Sequence, residues 1–375
     1  MTIKNLTKFL NEKYPDVFDR GVKLNEYAAK KIAIDTAIFM CKFKASNSET
    51  WLEGFISLAT WMRRENVHPV FVMDNGAPPE KAAEKKKRAE ARKKQENRAI
   101  ALEEAIGAFH QHGGLDELSE ARRALLKEVH QKEEKRGGHD VSARRRLLLL
   151  PVGLNQKEFD IGLAETKLER MKKHMFTVKP GDYDLLKKLL DVLKIPWITA
   201  QGEAEKECAR MVIRGEAAAV LSEDSDCLAY KAPVFLCKPD FVSKTVRRIY
   251  FSNLIDTVNM TEEEFLDFCI MCGTDYNPNV RGIGVCKSFD LIQKCKSIEK
   301  LPEKIDSSVL NYKVGRKLFA IPPADAKLSI APSLFTGVPL ETEVRAFFFK
   351  HNIRTPAEPV IQAFKPSESS LTFKE

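Results

Sequence analysis

The chain lacks any hydrophobic run long enough to cross a membrane. A spanning helix needs about 20 consecutive apolar residues, whereas the longest run of leucines is the four of Leu147–Leu150. The N-terminus, MTIKNLTKFLNEKYPD, alternates charged with apolar residues and contains neither a hydrophobic signal core nor a small-residue cleavage site. We therefore expect a soluble protein of a reducing, intracellular compartment, with no membrane partner.

Several common active-site patterns are missing as well. One CxxC pair, Cys269 and Cys272, occurs among the eight cysteines with no second pair and no histidine nearby, so a zinc site is not expected. The chain has no GxxxxGK loop, which argues against a nucleotide cofactor. No Ser-His-Asp or Cys-His arrangement indicates a covalent nucleophile. His110 and His112 have no cysteines nearby, and we interpret them as a solvated pair.

The positive charge of the chain is concentrated in one segment. The 375 residues are 43% hydrophobic and 30% charged, with a net charge of +8, and their number predicts two to three domains with real cores. Between Lys81 and Asn97 there are eight lysines and arginines against three glutamates. This stretch is either a solvated helix or a helix that tracks phosphates. Lys81 and Arg88 are two turns apart on one face, so both could meet one nucleic-acid backbone.

Acidic residues follow the predicted strands in a repeated arrangement. KIAID is predicted to be a buried strand that ends at Asp35, and HPVFVMD a second strand that ends at Asp74. A third strand, AAAVL, runs into SEDSD and so into Asp224 and Asp226. Because open α/β sheets hold their sites at the carboxyl ends of the strands, we expect these acids at one edge of a sheet.

Two further acids begin the helix that leads into the third strand. In GEAEKECARMV, Glu203 and Glu205 are spaced i, i+2, and such a pair shares one side only in extended or turn backbone. A helix cap plus solvated loop charges would explain one such pair. Two pairs around one helix–strand unit favour a metal site, and oxygen ligands favour Mg²⁺ or Mn²⁺ over Zn²⁺. Glu205, Asp224 and Asp226 are expected to lie closest to the metals.

Taken together, these segments resemble the flap endonucleases of the XPG-type 5′-nuclease superfamily. The similarity runs through IAID, VFVMD, the PP pair with its basic helix, GEAEKECA, SEDSDCLAY and GTDYNPNVRGIG, and it covers most of the chain outside an insertion. Seven acids match the family pattern residue for residue: Asp35, Asp74, Glu203, Glu205, Asp224, Asp226 and Asp275. The resemblance implies an α/β fold, with a mostly parallel twisted sheet, helices on both faces, a helical arch and a helix-two-turn-helix motif.

The resemblance also implies roles for individual residues. The seven carboxylates would hold two Mg²⁺ ions, with Mn²⁺ as a substitute. Lys81 and Arg88 would be the arch residues that meet the scissile phosphate. The helix-two-turn-helix would contact duplex DNA through K⁺, and its glycine turn opens a helix N-terminus that favours an anion. We assign the DNA contacts to Arg281, Gly282, Gly284, Lys287, Lys42 and Lys85.

Three departures from the family pattern concern substrate contacts. Thr2 stands where the family has a glycine, and Cys41 replaces a tyrosine that stacks on a substrate base. Phe39 or Phe43 could take over that stacking. The arch is also longer than usual, so the choice of substrate is the open point.

The predicted organisation has four parts. An N-terminal nuclease segment (1–79) is followed by a helical arch or cap (80–180), an internal nuclease segment with the helix-two-turn-helix (181–330), and a partly disordered C-terminal extension (331–375). In that extension ETEVRAFF has the spacing of a sliding-clamp-binding peptide but glutamate in place of the required glutamine. We expect a packed helix there and a monomeric protein.

The expected activity is Mg²⁺-dependent, structure-specific 5′ nuclease cleavage of branched DNA with a 5′ single-stranded flap. Trimming of 5′ ends, a role in DNA replication and repair, and a nuclear or cytoplasmic replication site are part of this expectation. A processive 5′–3′ exonuclease, a junction-cutting relative and an RNA-processing enzyme are alternatives. A non-catalytic DNA-binding scaffold is another, although a binder of polyanionic DNA gains nothing from seven acids in a pocket.

Overall fold

The structure is divided into two compact units. The first contains Met1–Lys44, Glu49–Glu84 and Val178–Glu375, and the second contains Ala45–Ser48 and Lys85–Thr177. The computed structural model describes residues 3–76, 78–137, 159–321 and 335–365.

A seven-stranded mixed sheet forms the centre of the first unit. Its strand order is β1-β7-β6-β5-β2-β3-β4. The strands are β1 (Asp19–Val22), β2 (Lys31–Asp35), β3 (His68–Met73), β4 (Trp197–Thr199), β5 (Ala219–Leu221), β6 (Val234–Asp240) and β7 (Thr245–Tyr250). Five neighbouring strands, β6, β5, β2, β3 and the edge strand β4, pair in parallel, and β6–β7 and β7–β1 are antiparallel. This confirms the expected α/β fold with a mostly parallel sheet.

Strands β2, β3 and β5 are buried on both faces, which explains their continuous apolar sequences. Side chains of successive strand residues point to opposite faces. Ala33 accordingly packs in one hydrophobic core together with Val70, whereas Ile32 and Ile34 pack in a second core together with Phe71. The two cores lie on opposite sides of the sheet.

Fifteen α-helices are present in the described part of the chain. They are α1 (Leu6–Lys13), α2 (Thr36–Ser46), α3 (Trp51–Arg64), α4 (Ala82–His112), α5 (Glu120–Gly137), α6 (Ile161–His174), α7 (Pro180–Val192), α8 (Ala204–Ile213), α9 (Asp226–Ala229), α10 (Phe251–Val258), α11 (Glu262–Cys272), α12 (Val285–Cys295), α13 (Tyr312–Phe319), α14 (Glu341–Lys350) and α15 (Ala357–Phe364). None of these helices is long and apolar enough to span a lipid bilayer.

The second unit is built from α4, α5 and α6 around a small core of its own. Leu102 and Ile106 of α4 pack there with Leu126, Val129 and Met171. Most other residues on α4 are exposed, and many of them are charged. A helix with few apolar contacts depends on its neighbours for stability, because its own propensity contributes little.

The C-terminal segment packs against the second core of the first unit. Helix α14 buries Val344, Phe347 and Phe348 there, which confirms the packed helix expected for ETEVRAFF. The backbone N of Thr336 donates a hydrogen bond to His68 Nδ1 at 3.2 Å. The serine-rich end for which disorder was predicted lies outside the described residues.

The proposed replacement for the base-stacking tyrosine is wrong. Phe39 is fully buried and Phe43 is 8% exposed, because both pack with Phe55 in the second core. Neither ring is therefore available to a DNA base. The exposed residue on this part of α2 is Cys41 itself.

Candidate metal centre

Three buried carboxylates meet at the carboxyl ends of the parallel strands. Glu205 lies in the first turn of α8, Asp224 in the loop after β5, and Asp226 at the start of α9. One oxygen from each lies within 4.8 Å of the others. These are the three acids that the sequence placed closest to the metals.

The SEDSD loop after β5 is folded by its own polar side chains. Ser222 Oγ accepts the backbone N–H of Asp224 at 2.9 Å and donates to Asp35 Oδ2 at 2.7 Å. Asp224 Oδ1 in turn accepts the backbone N–H of Asp226 at 2.9 Å. These bonds turn the two aspartates of the loop to one side and connect them to the end of β2.

The other acids are connected to the site by contacts with helix α8 and with Lys81. Asp74, just after β3, accepts the backbone N–H of Ala204 at 2.7 Å and so caps α8. Lys81 Nζ lies 2.5 Å from Glu203 Oε1, 2.9 Å from Asp275 Oδ2 and 3.9 Å from an oxygen of Glu205. The structure therefore brings all seven predicted acids and Lys81 together at one edge of the sheet.

Burial and mutual repulsion make this cluster costly without cations. Burial, with a smaller contribution from Asp74, raises the pKa of Asp35 to about 7. Burial also raises the pKa of Glu205 and of Asp226 well above the usual range, and the neighbouring carboxylates add to both shifts. For Lys81, burial lowers the pKa, but the attraction of Glu205 and the other acids outweighs it and raises the pKa overall.

The residues present fit divalent cations of the Mg²⁺ type. All the donor atoms are carboxylate oxygens, which are the ligands that such ions prefer. Asp226 uses Oδ1 to accept the backbone N–H of Ile3 at 3.0 Å, whereas its Oδ2 is buried and has no hydrogen-bond partner. A buried carboxylate oxygen without a partner is unfavourable unless a cation binds it.

Two tyrosines were missed by sequence reasoning. The hydroxyl of Tyr276 donates to Glu203 Oε2, and the hydroxyl of Tyr230 lies 3.4 Å from the same oxygen. Burial, followed by the charge of Glu203, raises the pKa of Tyr276, so its hydroxyl stays protonated and able to donate. Both tyrosines stand in segments that carry the resemblance, SEDSDCLAY and GTDYNPN, but nothing local shows that they share one partner.

The predicted DNA-binding residues lie in three places. Lys42 forms an ion pair with Glu223 of the SEDSD loop. Arg88 and Lys85 lie on α4 in the second unit, and Lys85 is exposed. Arg281, Gly282 and Gly284 in the loop before α12 and Lys287 in the first turn of α12, all predicted to contact DNA, are exposed.

The loop before α12 has the backbone shape that its glycines permit. Gly282 has a φ of +78°, which other residues adopt only with strain. Its carbonyl accepts a hydrogen bond from Lys287 Nζ at 3.3 Å. Gly284 directly precedes the first turn of α12, so the free backbone N–H groups of that turn lie beside the loop.

A mostly parallel sheet that gathers seven carboxylates at its carboxyl edge defines a nuclease core of the PIN-like type. Flap endonuclease-1 from Methanococcus jannaschii has this fold, with a TM-score of 0.56 over 94% of this chain and 96% of that chain at 18% identity. The XPG N-terminal domain matches residues 1–95, and the XPG I-region matches residues 194–275.

Two curated relatives extend the match in sequence. "Probable RAD2-like endonuclease 076L" of Invertebrate iridescent virus 3 is 34% identical over 343 residues, which are 86% of this chain and 86% of the relative. Flap endonuclease 1 of Ovis aries is 36% identical over 146 residues, 38% of each chain. The protein belongs to the XPG-type flap endonuclease family and is a nuclease, a hydrolase that acts on DNA. The family and the enzyme class expected from the sequence are thus confirmed.

Proposed function

We propose that the protein is a Mg²⁺-dependent, structure-specific 5′ nuclease that cuts branched DNA at the base of a 5′ flap. The observation that carries this proposal is the buried triad of Glu205, Asp224 and Asp226, whose oxygens lie within 4.8 Å of one another. The same proposal includes 5′–3′ exonuclease trimming of 5′ ends and a role in DNA replication and repair. It places the protein in the nucleus or at a cytoplasmic replication site.

The seven carboxylates are the residues that would hold two Mg²⁺ ions, or Mn²⁺ in their place, some of them directly and some through water molecules. When bound, such ions supply an activated water and neutralise charge on the scissile phosphate. The triad is suited to direct contact with the ions. We assign Asp35 and Asp74, which accept hydrogen bonds from Ser222 and from the start of α8, to contacts with the ions through water molecules.

Lys81 is the residue of this edge that would bind the scissile phosphate. Its side chain is 12% exposed and its ammonium is held by acids in the structure described here. A phosphate beside the carboxylate cluster offers this ammonium an alternative anion, and the flexible stem of lysine lets it reach that anion. Arg88, seven residues further along, is proposed to bind the same strand through its planar guanidinium.

Duplex binding is assigned to the loop before α12. The N–H groups at the start of this helix favour an anion, and Arg281 and Lys287 are exposed beside them. We assign a phosphate of the uncleaved duplex to this loop, with K⁺ as a bridging ion. Clamp binding through ETEVRAFF is not part of the proposal, because Phe347 and Phe348 are buried in the core.

The experiment is cleavage of end-labelled DNA in Mg²⁺, with parallel reactions in EDTA and with Asp224→Ala. Flap, nicked and four-way DNA, and an RNA flap, are compared at equal concentration. We expect cuts near the flap junction that disappear in both controls. Preferred cutting of four-way DNA would instead indicate a junction-cutting enzyme. Progressive shortening from a 5′ end would indicate an exonuclease, and preferred cutting of the RNA flap would indicate an RNA-processing enzyme. Gel filtration tests the expected monomer.

A further inference from the structure

Glu203 is held on both of its carboxylate oxygens. Oε1 accepts from Lys81 Nζ at 2.5 Å, and Oε2 accepts from the hydroxyl of Tyr276, with the hydroxyl of Tyr230 at 3.4 Å. The two hydroxyl oxygens are 3.0 Å apart and hydrogen-bonded to each other. The Glu203 side chain is only 6% exposed, so Lys81 and Tyr276 fix its orientation, while Tyr230 donates its proton to the Tyr276 oxygen and holds that hydroxyl in place.

The two tyrosines come from separate elements that are each locked in place. Tyr230 directly follows α9, is 1% exposed, and has its ring centroid 5.0 Å from that of Phe319. Tyr276 lies beside Asp275, and its ring centroid is 5.3 Å from the same phenylalanine. Its backbone N–H donates to Thr274 Oγ1 at 3.1 Å. Each hydroxyl is thus presented to Glu203 from a fixed ring.

Lys81 is the link between this group and the reaction. The lysine stem has several rotatable bonds, so its ammonium takes one position only where acceptors fix it. Its nearest acceptor is Glu203, and the ring centroid of Tyr276 is 5.9 Å from Nζ. The buried triad of Glu205, Asp224 and Asp226, by contrast, is the part of the cluster suited to hold ions.

We propose that Tyr276 and Tyr230 are positioning residues that act through Glu203 on Lys81. The phenols turn Glu203 toward the lysine, and Glu203 then sets the place from which the ammonium meets the scissile phosphate. This inference rests on the proposed function, because Lys81 has a phosphate to meet only if the protein cuts nucleic acid at this edge. It assigns Glu203 an indirect role, in contrast to the three acids of the triad.

The test is a double-mutant cycle between Tyr276→Phe and Lys81→Met, which keeps each side chain's apolar part. Tyr276→Phe alone should lower kcat about tenfold with KM for DNA little changed, since it removes a hydrogen bond to a charged group. In the Lys81→Met background the same substitution should lower kcat by at most about twofold, because the ammonium through which Tyr276 acts on the phosphate is absent. An equal loss of kcat in both backgrounds, or an unchanged kcat in Tyr276→Phe alone, would overturn the proposal.

Two further measurements separate positioning from general damage. Binding of Mn²⁺ without DNA, followed by calorimetry, should be within about twofold of wild type in Tyr276→Phe, whereas a large loss would make Glu203 a direct metal ligand and overturn the proposal. Tyr230→Phe, at the longer distance, should show a smaller loss of kcat than Tyr276→Phe. Tyr312→Phe is the matched control, because this tyrosine lies on α13 and stacks on Arg316; its kcat should equal that of wild type.

Failure of this inference is distinguishable from failure of the proposed function. If wild type cuts none of the DNA or RNA substrates, the proposed function fails. In that case the melting temperatures of the same four proteins are measured in EDTA. The change in melting temperature caused by Tyr276→Phe should differ between the wild-type and Lys81→Met backgrounds, because both residues hold Glu203. Additive melting shifts would overturn the positioning role in that case also.

Discussion

The buried acidic edge of the sheet and the exposed basic segments of this protein use charge in opposite ways. At the edge, each acid is oriented by a backbone amide, a hydroxyl or Lys81, and the cluster is short of positive charge. In the basic segments, lysines and arginines such as Lys85 and Arg281 stand in solvent. Hydrogen bonds and ion pairs therefore orient the side chains at the edge, whereas the exposed charges act through a field that salt can screen.

Lys81 shows that the two regions are not distinguishable by residue type. It begins the same basic stretch as Lys85 and Lys86, yet its side chain is 12% exposed and surrounded by carboxylates. Variants at the edge should therefore change the chemical step, and variants in the basic segments should change binding and its salt dependence. The following predictions test that difference in order of decreasing effect.

The largest effect is expected for Asp226→Asn. The substitution keeps the shape of the side chain but removes the charge of an oxygen that has no hydrogen-bond partner, so cleavage should fall by more than about a hundredfold. DNA binding in EDTA should stay close to wild type, as measured by fluorescence anisotropy. Asp256→Asn, an exposed acid on α10, is the matched control. Wild-type turnover in Asp226→Asn would remove this residue from the metal site.

A smaller loss of activity is expected for Lys81→Ala. Removal of one charged group that stabilises the transition state costs about a hundredfold or somewhat more in kcat. Lys86→Ala removes an equal charge from an exposed position five residues along and should change kcat by less than about twofold. Single-turnover cleavage rates at saturating enzyme measure both. Equal rates for the two variants would erase the distinction between buried and exposed lysines in this stretch.

Arg281→Ala combined with Lys287→Ala should weaken binding without slowing cleavage. Each lost phosphate contact lowers the slope of log K against log salt by about 0.9, so a reduction of nearly two is expected. Binding of flap DNA over a range of salt concentrations measures the slope, and the cleavage rate at saturating DNA should match wild type. A change in that rate with an unchanged slope would place these residues in the chemistry instead. Lys304→Ala with Lys300→Ala, exposed charges elsewhere, is the control.

The smallest effect is a pH dependence of stability that lies away from the acidic edge. His68 Nδ1 accepts hydrogen bonds from Thr336 and contacts Arg63 at 3.2 Å, which requires a neutral ring. Burial, followed by the charge of Arg63, lowers the pKa of His68 to about 4. The unfolded chain therefore binds more protons between about pH 6.5 and pH 4. The stability that this histidine contributes is complete above that window and is lost as the pH falls through it.

Urea denaturation at pH 7 and pH 5 measures this contribution. In His68→Asn, which offers an acceptor but does not titrate, the loss of stability between the two pH values should be smaller than in wild type. His112, exposed at the end of α4, supplies the matched control variant His112→Asn. The same pH dependence in all three proteins would show that other groups are responsible.

Much of the fold and the site was predictable because both follow from local sequence. The apolar runs before Asp35 and Asp74 predicted buried strands of a parallel sheet, and parallel strands bring their carboxyl ends to one edge. The i, i+2 spacing of Asp224 and Asp226 predicted a turn that presents both on one side. The base-stacking role suggested for Phe39 and Phe43 failed for the opposite reason, because helical spacing does not show which face of α2 is covered by α3.

The sequence by itself determined the acids, the strands that carry them and the basic stretch that follows, since each is a pattern of neighbouring residues. Only the tertiary structure decided that Lys81 leaves that stretch to sit among acids 122 or more residues away, while Lys85 stays in solvent. Only the structure brought Tyr230 and Tyr276 onto one oxygen of Glu203. The physical reason is that burial and the pairing of distant side chains depend on how the elements pack, and no local periodicity records that packing.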